Sequence, residues 1–270
     1  MQYRRHRTPL VPRKLARGVT ERIDMFGTVV IPLYEHEVEQ AARELIVDEQ
    51  CQSIAIVFLQ SYKNAEHEER AEAIVRRVLQ EAGRDIPIEL SSRVAPTMRE
   101  ISRANSTIVQ AYATDPARKQ LFRIEESLKT IGYRHSLKTV LGYGGVTNIR
   151  YPRLFEAAMS GPVGGLMGAK YLGSVIGEEN IVCSDVGGTS FDAGCITAGT
   201  VPIDREPGFQ NMYLTAPMLS ITSIGAGTGT YIRIDPATNR IKLGPDSAGG
   251  TPGPTLPMLR SGDISLRRSA

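Results

Sequence analysis

The first ninety residues alternate between two periods of apolar placement. Glu21-Arg22-Ile23-Asp24 and Thr28-Val29-Val30-Ile31-Pro32-Leu33 flank Gly27 and predict a strand pair. From Glu35 to Asp48, the residues Val38, Ala41, Ala42, Leu45 and Ile46 recur at helical spacing. Residues 53–59 are a short apolar run, the pattern of a strand covered on both faces as in parallel sheets. Residues 64–82 predict a charged amphipathic helix closed by Gly83 and largely solvated, and 86–91 predict a second strand. Helix, strand, helix, strand is the rhythm of an α/β fold.

Further along, residues 97–131 predict helix with a restart at Asp115-Pro116, since proline suits a first helical turn. Leu137–Leu141 predicts a strand running into Gly142-Tyr143-Gly144-Gly145. The next predicted helix, about 159–173, carries Ser160-Gly161-Pro162-Val163-Gly164-Gly165-Leu166-Met167-Gly168. Each interior glycine costs about 1 kcal/mol relative to alanine. The expectation is a tightly crossed element between two lobes, whose close packing offsets that cost; the alternative is a loop.

The chemistry concentrates in residues 180–196. An apolar strand, Asn180-Ile181-Val182-Cys183-Ser184-Asp185-Val186, enters the pair Gly187-Gly188, and Thr189-Ser190-Phe191-Asp192-Ala193-Gly194-Cys195-Ile196 leads away. Paired glycines are a hairpin signal because tight turns use positive φ. Lacking Cβ atoms, their N–H groups can approach an anion, and Thr189 and Ser190 add hydroxyls. Asp185 and Asp192, one on each strand, are candidate catalytic carboxylates able to orient water or a water-bound metal ion. Phosphate donors beside carboxylates suit Mg²⁺ and phosphoryl transfer. The bland alternative is a hairpin with a polar tip. A second run, Ser223-Ile224-Gly225-Ala226-Gly227-Thr228-Gly229-Thr230, makes Gly225 and Gly227 candidate cleft residues. It lacks the strand-to-helix G-x-G-x-x-G setting of a dinucleotide site, so a tight turn between strands is the equal alternative.

Composition narrows the classes. The 270 residues are 41% hydrophobic and 23% charged, ordinary for a globular protein, and no window supplies the ~20 apolar residues of a membrane span. The net charge is +3, but residues 1–22 hold seven basic side chains against one acidic, and the stretch from Gly253 holds three against one. The body between them is therefore acidic, which argues against nucleic acid. The four histidines are scattered and His67 has no partner four residues on, so no zinc spacing arises. Cys51, Cys183 and Cys195 form no C-x-x-C pair, and the two strand cysteines are expected to be buried. A reducing, cytoplasmic setting follows.

The run Asp185–Asp192 resembles the second phosphate hairpin of the ATPase superfamily that includes actin, heat-shock chaperones and sugar kinases. More narrowly, the chain is similar over about residues 4–252 to the ATPase-type subunits of the hydantoinase/oxoprolinase family. The blocks that carry the likeness include His6-Arg7-Thr8-Pro9, residues 61–70, Ser91-Ser92-Arg93-Val94-Ala95-Pro96, Ser160-Gly161-Pro162, Ser223–Gly227 and Gly244–Gly249. Leu141–Val146 and Asn148–Tyr151 look most like its ketone-carboxylase members, with hydantoinase subunits near them.

The resemblance implies a ribonuclease-H-like (actin/hexokinase-type) α/β architecture with ATP and Mg²⁺ between two lobes. In it, Asp185, Gly187, Gly188 and Thr189 would contact phosphate and its metal. It implies activation of an amide, lactam or ketone for hydrolysis or carboxylation, together with a hydantoinase B-type or carboxylase subunit as partner. The expected division is a basic segment 1–19, the end of the first lobe at 20–158, connecting helix and second-lobe start at 159–252, and a divergent tail at 253–270. The superfamily's first phosphate hairpin has no counterpart before Arg150, so the expected architecture is an incomplete two-lobed one. The alternative function is a non-catalytic binding or assembly module.

Overall fold

The computed structural model describes residues 9–209 and 212–247. The expectations for residues 1–8 and 248–270, including the divergent tail, lie outside them. The elements are β1 (Arg22–Ile23), β2 (Val29–Ile31), α1 (Glu35–Arg43), β3 (Ile54–Ile56), α2 (Glu66–Glu81), β4 (Ile88–Leu90), α3 (Ser91–Val94), α4 (Glu100–Thr130), β5 (Lys138–Val140) and β6 (Val146–Asn148). They continue with α5 (Ser160–Ile176), β7 (Ile181–Val186), β8 (Phe191–Ile196) and the two-residue strands β9 (Ile203–Asp204), β10 (Gly208–Phe209), β11 (Met212–Tyr213) and β12 (Met218–Leu219). β13 (Ile221–Ile224), β14 (Thr230–Asp235) and β15 (Arg240–Ser247) follow. The chain divides into two units: residues 1–158 with 204–218, and 159–203 with 219–270. Residues 204–218, assigned by sequence to the second region, fold with the first unit, where Thr215 N–H donates to Ser106 Oγ at 2.9 Å.

In the first unit β3 and β4 run parallel, with Ile54 opposite Ile88 and Ile56 opposite Leu90. The helix between them, α2, is the crossover a parallel pair requires. Val38, Ala42 and Ile46 pack with Ile54, Ile56, Val75 and Val78 in one core. Beside it lies a buried polar knot. Glu68, 0% exposed, accepts from Phe58 N–H (2.9 Å), Ser91 Oγ (2.5 Å) and Ser92 N–H (2.8 Å). Arg103, also 0% exposed, donates to Ser91 Oγ (3.1 Å) and to the carbonyls of Thr97 (3.1 Å) and Phe58 (2.8 Å), and ion-pairs with Glu100. Because Phe58 bonds to side chains instead of a neighbouring strand, β3 stops at Ile56, short of the predicted 59.

Three expectations are corrected here. His67 is 1% exposed and bonded through Nδ1 to Glu21 (2.8 Å), not solvated, and α2 buries His67, Glu68 and Glu72 along with its apolar face. Helix α4 passes through Pro116 without restarting. The carbonyl that proline leaves without a donor is that of Tyr112, on an exposed turn, where water can reach it. The polar face of α4 (Ser106, Thr107, Gln110, Thr114) is buried, and Gln110 bonds to the Pro152 carbonyl (2.7 Å) and Thr114 (2.8 Å).

In the second unit β13, β8 and β7 form an antiparallel sheet in that order, and β14 pairs with β15 as a separate ribbon. Helix α5 forms, and its glycines differ in how closely they are packed. A Cβ at Gly161, Gly165 or Gly168 would meet nothing within 4 Å, whereas one at Gly173 would collide with Ile181. A second tight approach lies on the sheet: Leu166 sits over Gly194 of β8, where an added Cβ would come within 3.0 Å of it. No described helix is long and apolar enough to cross a membrane.

Two outcomes follow for the first unit. Glu68→Ala strands three buried donors and is expected to lower stability by at least ~3 kcal/mol in urea unfolding. The Arg150 guanidinium, helped by the Leu137 N–H, holds the Glu125 carboxyl down at about 2 from the usual 4.5. Its stabilising contribution is therefore present above pH 4.5 and is lost as the pH falls towards 2. Melting temperature is expected to drop through that window, and Glu125→Gln to lower it at pH 7 while flattening the drop.

Candidate functional site

The site grows from the β7–β8 hairpin. Its register places Asp185 directly opposite Asp192 and Val186 opposite Phe191, leaving residues 187–190 as the tip, closed by Gly187 N–H to the Ser190 carbonyl at 2.9 Å. Neither Gly187 nor Gly188 is among the positive-φ residues, so the tip does not use its glycines as the sequence argument supposed. Their role is approach. A Cβ on Gly227 would lie 2.5 Å from both the Gly187 carbonyl oxygen and the Thr189 nitrogen. Main chain therefore packs against main chain, which only glycine permits.

That contact is fastened by hydrogen bonds. Thr228 N–H donates to the Gly187 carbonyl (2.8 Å) and Gly229 N–H to the Gly188 carbonyl (2.9 Å). The Ser247 hydroxyl also reaches the Gly188 carbonyl at 3.3 Å. The two glycine runs, treated separately in sequence, form one structure. With both carbonyls engaged, the N–H groups of Gly188, Thr189 and Ser190 remain, and they donate to no protein acceptor among the described residues. Successive free N–H groups of this kind make an anion-binding concavity. Gly225 stands at the rim, with open space where a Cβ would be.

Directly opposed residues of an antiparallel pair share a face, with Cβ atoms about 4.5–5.5 Å apart. Asp185 and Asp192 therefore present two carboxylates side by side. On β13 Ser223 is opposite Asp192, which extends the polar row across three strands. Asp185 is exposed, while Asp192 is 9% exposed. Asp192 Oδ2 accepts from Ser190 Oγ at 3.1 Å, and its Oδ1 is buried without a protein partner, as is the hydroxyl of Thr230. Ser223 and Thr228 belong to the second glycine run, but only the strand register brings Ser223 to this row and only the loop contact brings Thr228 to the tip.

Mg²⁺ fits this donor set in one specific way. No cluster of three or more His, Cys, Asp or Glu side chains able to hold a metal occurs among the described residues. Two carboxylates are what Mg²⁺ ordinarily takes from protein when water and phosphate complete its shell. The orphaned Asp192 Oδ1 is a natural acceptor for such a water. Cys195, expected to be buried, is exposed. It lies on the face of β8 opposite Asp192, Gly194 and Ile196, the alternate set that is buried.

The same segments organise the likeness to known proteins. The hydantoinase/oxoprolinase family model matches residues 103–262, and the model of that family's N-terminal region matches 1–79. The acetone carboxylase beta subunit of Xanthobacter autotrophicus is 44% identical over 245 residues, covering 91% of this chain and 34% of that protein. A nucleotide-free acetone carboxylase structure described as ATP-dependent superposes with a TM-score of 0.83 at 44% identity, over 91% of this chain and 34% of that one. The ATP-dependent caprolactamase of Pseudomonas jessenii gives 0.74 at 29% identity, over 94% and 38%. The chain thus spans about a third of the length of the proteins it resembles. Both solved neighbours combine helix and strand, and the α/β class expected from the sequence is the class found. With one family model covering more than half of its residues and a second matching its beginning, the chain belongs to the hydantoinase/oxoprolinase family.

Proposed function

We propose that the hairpin tip and the glycine loop hold the phosphate tail of ATP, as part of an enzyme that activates a cyclic amide or a ketone. One observation carries the reading: Asp185 and Asp192 face each other beside a tip of free N–H groups, with Asp192 Oδ1 buried and unpartnered. ATP dependence in the acetone carboxylase and the caprolactamase supports it. When bound, ATP would supply the phosphoryl group that turns a poor amide or ketone oxygen into a reactive one for hydrolysis or carboxylation.

The chain's own residues have defined parts. Gly188, Thr189 and Ser190 point main-chain donors at phosphate oxygens, and their partner loop fixes those donors in advance, so little reorganisation accompanies binding. Asp185, being exposed, and Asp192, held by Ser190, would together hold Mg²⁺ through its bound waters, and the ion would supply charge neutralisation at the phosphate. Gly227 keeps the loop close enough to lock the tip. A second polypeptide of the family's B type or carboxylase type would complete the substrate side.

A binding or assembly role without turnover is the second reading for the chain by itself. The sequence contains one Asp-Val-Gly-Gly-Thr run, and one hairpin supplies donors from one side of a triphosphate. Slow turnover is expected from the chain alone.

Titration calorimetry with ATP, with and without MgCl₂, tests the site. Asp185→Asn is expected to weaken Mg²⁺-dependent binding by about tenfold or more, roughly 1.4 kcal/mol, with little loss of thermal stability. Identical affinities for wild type and both Asp185→Asn and Asp192→Asn would remove the assignment. Gly227→Ala is expected to abolish binding with or without Mg²⁺ and to lower the melting temperature, since its Cβ cannot fit without parting the loop from the tip. Equal ATPase rates for wild type and Asp185→Ala, with partner subunits added, would favour the module reading.

A further inference from the structure

We infer that the β1–β2 hairpin docks the second polypeptide of the enzyme, in an apolar recess on that polypeptide with an acidic rim. The inference takes from the proposed function only that such a polypeptide exists, and it does not depend on the nucleotide site. Asp24-Met25-Phe26-Gly27 forms the turn, closed by Gly27 N–H to the Asp24 carbonyl at 3.1 Å. Its two outer residues supply the turn chemistry. Asp24 Oδ1 accepts from the N–H groups of Phe26 and Thr28, each at 2.9 Å, and Gly27 takes a φ of +90°. The two positions between them would admit polar side chains. They hold Met25, 64% exposed, and Phe26, 80% exposed.

The apolar surface continues along β2, where Val29, Val30 and Ile31 are all exposed, and on to Tyr34. Ile31 stands opposite Arg22 and Val29 opposite Ile23, so Val30 has no counterpart on β1 and sits in a bulge. A two-stranded sheet so exposed is marginal in water by itself. This one is pinned: Ile23 is fully buried, Glu21 is bonded to His67, and Asn64 Nδ2 donates to the Gly27 carbonyl at 3.1 Å. The tip is therefore a fixed apolar knob, whose main chain loses little freedom on docking. Phe, Met and Tyr are the residue types concentrated in the centres of interfaces. Charge names the chemistry of the partner. Arg22 on β1 and Lys63 beside Gly27 are exposed and make no side-chain hydrogen bond or ion pair among the described residues. The carboxylates flanking Ile23 are committed, Asp24 to the turn and Glu21 to His67. Two unanswered cations beside an apolar knob fit an apolar recess rimmed by Asp or Glu. The acetone carboxylase relative is itself one subunit of an assembly, which favours a polypeptide as the occupant over lipid or a second copy.

The probes are the remaining subunits of the Xanthobacter acetone carboxylase, titrated against the full chain by biolayer interferometry. Met25→Ser and Phe26→Ser are expected to leave the melting temperature and ATP affinity unchanged, since both side chains are exposed, and each to weaken subunit binding by about tenfold or more. Lys63→Glu is expected to weaken it by about threefold or more and to reduce its dependence on salt. No binding by the wild type removes the second polypeptide from the proposed function, and this surface with it. Binding that is equally tight in all three variants removes the surface alone. Two further results reassign the hairpin and overturn the proposal. One is self-association of the chain in sedimentation, abolished by Phe26→Ser. The other is binding to phosphatidylserine vesicles that Phe26→Ser abolishes while subunit binding persists.

Discussion

The second unit turns on a contact between two stretches of main chain. Gly227 lies so close to the hairpin tip that no side chain could stand there, and the N–H groups of Thr228 and Gly229 take the carbonyls of Gly187 and Gly188. A peptide whose carbonyl is tied down on one side must show its N–H elsewhere, so this contact decides which pole of the tip's peptide dipoles is free. Without it, the glycine tip would be a mobile turn offering oxygen and nitrogen alike. With it, the tip is polarised before any ligand arrives. The same contact joins two glycine runs that are separated in sequence by more than thirty residues.

The first unit is held by a different device. Its apolar core accounts for α1, α2 and the two parallel strands, but α3 and α4 are joined to them through Glu68, Ser91 and Arg103. A buried carboxylate is costly unless its oxygens are satisfied, and here both oxygens accept from donors on other elements. The arrangement is directional in a way that apolar packing is not: α3 can dock where its Ser92 N–H meets Glu68 and nowhere a turn away. The two blocks of family likeness at 61–70 and 91–96 contain Glu68, Ser91 and Ser92 of this knot, so that part of the likeness has a structural reason independent of catalysis.

Much of this was legible in the chain. Apolar patterning located α1, α2 and β4 within a few residues, because each of those elements buries apolar side chains, and the paired glycines located the β7–β8 hairpin. What escaped notice was polar burial. His67, Glu68, Arg103 and Gln110 are of residue types ordinarily left in solvent, and each is buried because it has partners on other elements. Of the glycines of α5, whose cost predicted close packing, Gly173 is closely packed while Gly161, Gly165 and Gly168 are open, and a further close approach is at Gly194 on the strand that Leu166 covers. Pro116 misled because an interior proline need not end a helix: here the carbonyl it strands, that of Tyr112, lies on an exposed turn. At the site, Asp185, Asp192 and the glycines were visible as a motif, whereas the row through Ser223 needed the register of three strands.

The paired aspartates carry the argument furthest. Like charges directly opposite on a sheet oppose folding. Only one of the two is exposed, so water screens Asp185 and cannot fully screen Asp192, whose Oδ1 has no protein donor. A chain that keeps such a pair must recover the cost when something binds, and a hydrated divalent cation removes the repulsion and supplies the missing donor together. Phosphate alone would deepen the repulsion, and a metal alone would find two ligands where it needs more. On the proposed reading, nucleotide and Mg²⁺ therefore bind as one species, with the free N–H groups of the tip countering the charge that the aspartates cannot.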